Sequence, residues 1–249
     1  MPVTDPLPAH REPLALLRLG VLAALLLLAY SLVAPHLTRL AFRPGLLVAV
    51  AVNMALLALL CAGLLPLREM RGGALAVAAA ALGCAGLFTY LGWVPLSNLA
   101  KAVFAAGLGY WLAAQIGSLP VVVLIAVLSA VVDIVSVAVG PTRAILTHRP
   151  ELVGYFTVAL TWLGYHAKEA YTALGVSDLV FFCLYLGTAR AFRLRVGATA
   201  TGMALSVLVT VVAGLRVSAM PALPLLALAF LGVNADLLLG PRPAPRRRR

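Results

Sequence analysis

The sequence predicts an all-α fold: a polytopic transmembrane helix bundle of about eight spans. Three observations carry this expectation. The chain is 63% hydrophobic and only 11% charged, whereas a soluble domain carries about a quarter charged residues. Its mean hydropathy is +1.05. Its apolar residues fall into successive runs, most of them near the roughly 20 residues that a helix needs to cross a bilayer. An ordinary water-soluble fold, a disordered chain, a collagen and a disulfide-stapled module are all excluded on composition.

Residues 1–13 are polar and proline-bearing, which reads as a disordered cytoplasmic start. The first run, 14–35, is longer than a signal-peptide core and lacks a clean small-x-small cleavage site after it, so it reads as a span. Further runs cover 45–66, 73–94, 98–116 and 119–140. The pattern changes at 141–173, a connector with charged residues and the aromatics Tyr155, Phe156, Trp162, Tyr165 and Tyr171. Within it, 152–165 is uncharged but too short for a span, and its aromatics suit a headgroup boundary, so a lipid-surface segment is expected. A ninth span is the alternative. Runs at 174–189, 197–214 and 219–239 complete the bundle. The expected units are N-terminal helices (1–118), a core (119–239) and a basic tail (240–249).

Lys and Arg total 19 against 8 acids, a net charge of +11. The basic residues flank spans rather than forming a face interleaved with aromatics, so nucleic acid is not an expected partner. Counted by side over eight spans, the larger group is Arg11, Arg18, Arg68, Arg71, Arg190, Arg193, Arg195, Arg242 and Arg246 to Arg249. The smaller is Arg39, Arg43, Lys101, Arg143, Arg149, Lys168 and Arg216. The positive-inside rule then puts both termini in the cytoplasm and the connector outside, with anionic lipids at the basic tail. All but two of the basic residues are arginine, which with the Ala/Leu richness suggests a GC-rich prokaryote and its plasma membrane.

Acids inside apolar runs are functional candidates, because an ionisable group in hydrocarbon costs at least about 2.5–3.5 kcal/mol. Asp133 precedes the Gly140-Pro141 break by seven residues, and Asp178 lies early in the next run. At 1.5 Å per residue their depths are about 10 Å and 7.5 Å from one membrane face. Two carboxyls carried at similar depth on consecutive antiparallel helices can share one proton. Such a pair suits an acid–base hydrolase, and equally a transporter that binds a proton or cation.

Asp133, the Gly175-Val176-Ser177-Asp178 run and the Pro221-Ala222-Leu223 triplet occur in an order that resembles the presenilin and signal-peptide-peptidase family of intramembrane aspartyl proteases. The likeness covers 119–239. It implies that Asp133 and Asp178 are catalytic and that Gly175, Ser177, Pro221, Ala222 and Leu223 contact substrate. It further implies a transmembrane or remnant signal-peptide helix as substrate, with no metal and no cofactor. The predicted orientation matches the signal-peptide-peptidase branch, which prefers type II substrates. The chain departs from the family pattern in Val132, where Tyr is favoured, in Ser177, where Gly is favoured, and in having eight spans rather than nine. These departures keep a catalytically silent relative as an alternative.

Other features have simpler readings. Asp236, beside Asn234, suits an interfacial or capping acid, Asn53 and Asn98 suit interhelical hydrogen bonds, and Lys101 suits a snorkelling side chain. The four histidines are scattered, and no zinc, serine-hydrolase or phosphate-loop motif occurs. Cys61, Cys84 and Cys183 read as small core residues.

Overall fold

The computed structural model describes residues 11–140, 148–149, 152–165, 172–214 and 220–239. Residues 1–10 of the expected polar start, Arg143, Glu151, His166, Lys168 and Glu169 of the connector, and the tail from 240 onward therefore lie outside the described residues.

The N-terminal part of the bundle runs through α1 Arg11–Val33, α2 Phe42–Gly63, α3 Arg71–Tyr90, α4 Val94–Gln115 and α5 Leu119–Ala138. After the connector's short α6 (Val153–Phe156) come α7 Val176–Ala191, α8 Val196–Gly214, α9 Leu223–Val233 and α10 Ala235–Leu239. Among the described residues, five helical segments are long and apolar enough to cross a membrane: 13–36, 42–69, 72–90, 119–138 and 196–214. The molecule is thus an apolar helical bundle that fits an integral membrane protein. The all-α expectation needs one amendment. Thr157–Ala159 (β1) and Ala173–Gly175 (β2) pair as a small antiparallel sheet, with Val158 opposite Leu174.

Proline and asparagine set several of the boundaries. Pro95, Pro120 and Pro224 fall at the first or second positions of α4, α5 and α9, where a missing N–H costs no helical hydrogen bond. The final run does not form one continuous span. It breaks at Asn234 between α9 and α10, because the Asn234 amide is committed sideways. Its Oδ1 accepts from the Arg195 N–H at 3.1 Å, and its Nδ2 donates to Thr199 Oγ1 and the Phe230 carbonyl, each at 2.9 Å.

α4 is the centre of the bundle, packing against α3 on one side and α7 on the other. Its buried face is built from small residues, Ala102, Ala105, Ala106, Gly109 and Ala113, with Tyr110 among them. A side chain at Gly109 would collide with the Val180 carbonyl, and one at Gly63 would meet the backbone of Gly20. Those glycines are what let α4 approach α7, and α2 approach α1, at backbone contact. α5 stands apart: it packs on α9 and presents Val121, Leu124, Leu128, Val131, Val132 and Val135 outward. Its polar tie to α7 is a buried hydrogen bond between Ser129 Oγ and Tyr185 Oη, 2.8 Å long. Tyr185 in turn stacks on Phe230 of α9, with ring centroids 4.9 Å apart.

Segment 152–165 departs most sharply from the expectation. It is not a single surface layer: Tyr155 and Phe156 face outward, 48% and 59% exposed, whereas Leu160 and Trp162 turn into the protein and are 0% and 1% exposed. The residues expected to bond helix to helix, or to snorkel, hold its backbone instead. Asn98 Nδ2 donates to the Ala159 carbonyl at 2.9 Å, while its Oδ1 accepts the Ala159 N–H at 3.1 Å. Asn53 does the same two residues later, bonding the carbonyl and N–H of Thr161 at 3.0 and 3.3 Å. Lys101 is buried rather than snorkelled, donating to the carbonyls of Gly154 and Thr157. The physical reason is that extended backbone inside an apolar bundle needs partners for every N–H and C=O. One edge of β1 finds β2, and side-chain amides serve the other.

Candidate functional site

The sheet ends where α7 begins, and this junction positions Asp178. Gly175 is the last residue of β2 and the N-cap of α7, and its N–H donates to Asp178 Oδ2 at 3.2 Å. Asp178 is therefore in the first turn of its helix, nearer the helix end than its place in the apolar run suggests. A carboxylate there also interacts favourably with the helix dipole. Ser177 beside it is exposed, and Gly175 is half-buried.

Asp133 approaches from α5. Its Oδ2 accepts the Leu223 N–H at 3.0 Å, and the Ala222 amide adds a second interaction with the same carboxyl. Both amides lie at the start of α9, which has no side-chain cap of its own. Pro221 and Pro224 interrupt the backbone there, and Asp133 fills the acceptor role that the break creates. Ala222 and Leu223 turn their side chains inward and are buried, so it is their backbone that meets the acid. Val132, the preceding residue of α5, is 63% exposed.

The two acids lie within electrostatic reach of each other: the charge of Asp133 acts on the Asp178 carboxyl. The structure thus joins an aspartate of α5 to the proline-broken start of α9, with the first turn of α7 within reach of that aspartate's charge. Gly175 and Ser177 lie beside Asp178, and Pro221, Ala222 and Leu223 lie beside Asp133. Asp236 is apart from this group, in a two-pronged ion pair with Arg195 at 2.9 and 2.7 Å.

One edge of the sheet leads into Asp178. The Leu160 N–H donates to the Thr172 carbonyl at 3.1 Å, which fixes the parity of the ladder. The backbone groups of Ala173 and Gly175 consequently point away from β1, and that edge of β2 has no strand partner among the described residues. Sequence reasoning misses the sheet, because three-residue strands leave no periodic signal. It also misses the Ser129–Tyr185 tie, although a Tyr seven residues after Asp178 shares its helix face. Among the described residues, no group of three or more His, Cys, Asp or Glu is placed to hold a metal ion.

Comparisons with protein-family models, with curated proteins and with solved structures give no match for this chain.

Proposed function

We propose that this chain is an intramembrane aspartyl endopeptidase, similar to the presenilin and signal-peptide-peptidase family, with Asp133 and Asp178 as its acid–base pair. The observation that carries the reading is the hydrogen bond from Leu223 N–H to Asp133 Oδ2, which ties the first acid to the Pro221–Leu223 segment. Two motifs 90 residues apart are thereby joined, and the third, Asp178, lies near enough to feel the charge of Asp133.

Two carboxyls in a poorly solvated site hold one proton between them. The ionised member removes a proton from water as its oxygen attacks the scissile carbonyl carbon, and the protonated member donates to the carbonyl oxygen. Collapse of that tetrahedral centre breaks the C–N bond, and the amine leaves with a proton. A transmembrane substrate is helical and must be extended before its carbonyl is accessible. The edge of β2 that leads into Asp178, where the backbone groups of Ala173 face away from β1, supplies a donor and an acceptor for an extended segment, and Ala222 and Leu223 supply the opposite wall.

In this reading α4, α7 and the α9–α10 pair complete an eight-span topology. α4 is long but enclosed by its neighbours, and α7 is extended at its start by β2. Both termini are cytoplasmic, the connector is external, and the substrates are type II helices such as remnant signal peptides. The basic tail meets anionic lipid at a prokaryotic plasma membrane.

A second reading has its own support, since both acids already make helix-end hydrogen bonds. Asp178 bonds Gly175 of its own turn and Asp133 bonds the start of α9, as in a catalytically silent membrane protein. Purified protein in liposomes with a signal-peptide-like helix separates the two. Fragments cut within the hydrocarbon stretch, identified by mass spectrometry, are expected of the protease. An intact substrate after prolonged incubation would favour the silent reading. A transporter using the same carboxyls would move protons or cations in that preparation and leave the peptide whole.

A further inference from the structure

Away from the acids, a polar concavity of about 610 Å³ is lined by Arg68, Glu69, Gly72, Trp111, Ala114 and Gln115. It lies where the turn Leu65–Glu69 and the start of α3 meet the end of α4. The apolar segments on either side of that turn, 42–69 and 72–90, are both long enough to cross a membrane. Arg68 therefore sits at the level of lipid headgroups, where a phosphodiester is the most abundant anion.

The concavity has the groups such a ligand needs. Arg68 lines the concavity, and its Nε is shielded from solvent without a hydrogen-bond partner, a cost that a turn of the guanidinium toward a bound acceptor relieves. Arginine's planar fork is suited to phosphate oxygens. Gly72 is exposed, and nothing lies within 4 Å of where its side chain would begin. A phosphate oxygen thus has room beside the first turn of α3, whose N-cap, Met70, provides no side-chain cap. Glu69 stands on the same wall and is exposed. Trp111 of α4 lines the same concavity, and Gln115 Nε2 is turned back to the Trp111 carbonyl at 3.3 Å. A carboxylate and an indole face together receive an ammonium group.

We propose that this concavity binds the headgroup of an aminophospholipid, with its phosphodiester on Arg68 and the Gly72 end of α3 and its ammonium between Glu69 and Trp111. The site stands independently of the aspartate pair, and a lipid held there would tether the α2–α3 turn to the end of α4.

The test is native mass spectrometry of the full chain in neutral detergent, titrated with short-chain phosphatidylethanolamine, phosphatidylglycerol or inorganic phosphate. Phosphatidylethanolamine is expected to bind best. Arg68→Gln should weaken it by about tenfold, and Gly72→Leu, which has open space to enter, should weaken it similarly without disturbing the fold. Glu69→Gln should bring the two lipids to equal affinity. Three results would overturn the proposal: wild-type binding of phosphatidylethanolamine by both Arg68→Gln and Gly72→Leu, equal binding of the two lipids by the unmodified protein, or displacement of the lipid by inorganic phosphate at matched concentration.

Discussion

Asp133→Asn and Asp178→Asn are each expected to lower cleavage of a reconstituted helical substrate by about 10²–10⁴-fold, the usual worth of a general acid or base. The choice of Asn is what makes the experiment decisive. An amide oxygen at position 133 still accepts the Leu223 N–H, and one at 178 still accepts the Gly175 N–H. The helix starts are preserved, so the folded protein should unfold at nearly the same temperature as the unmodified chain. What an amide cannot do is exchange a proton with its neighbour at ordinary pH. If the acids only cap helices, both Asn variants should retain whatever activity the protein has, while the Ala variants should be destabilised. Full cleavage by either Asn variant would remove that residue from the chemistry.

Asn98→Leu is expected to be the most damaging single substitution for stability outside the helix contacts. Asn98 is buried, and its amide serves the N–H and the carbonyl of Ala159 together. Leucine is similarly sized and suits an apolar helix, so packing alone would change little. The strand backbone, however, would lose partners for two buried polar groups, a cost of about 2–6 kcal/mol. For a chain of this size that corresponds to a fall in the unfolding temperature of roughly 5–20 °C. Hydrogen exchange at residues 157–161 should rise in the Leu variant, and substrate cleavage should fall with it, since β1 holds β2 and β2 leads directly into Asp178. Unchanged exchange at Ala159 would mean that the amide clamp is not what fixes the strand.

How far the sequence can be read depends on the range of the interaction involved. Apolar run length is local, and it locates α1 to α5 and α8 to within a few residues. The two acids stand out because a charge in hydrocarbon is costly wherever it is. The partners of those acids are harder to foresee. Nothing local to Asp133 announces that its carboxyl will bond an amide 90 residues away, although the proline-broken start of α9 does announce amides in need of an acceptor. By residue type alone, Asn53 and Asn98 are helix bonders and Lys101 is a snorkelling cation. Their actual role depends on an extended segment that folds between the helices, and short strands with buried aromatics resemble an interfacial segment in sequence. The depth of Asp178 is overestimated for a related reason: β2 takes the first residues of its apolar run, so α7 starts only at Val176.

Whether Asp133 and Asp178 face one another beside the start of α9 is tested most directly by cross-linking. Asp133→Cys and Asp178→Cys are combined in a chain whose native Cys61, Cys84 and Cys183 have been replaced, and the membranes are treated with a short thiol-to-thiol reagent. Rapid formation of an internal cross-link, seen as a single product after cleavage of the chain between the two positions, is the expected result. It should be blocked by a helical substrate-like peptide that occupies the site. Failure to cross-link, with each single cysteine reacting freely with a monofunctional reagent, would mean that the two positions do not meet and that the pair does not exist.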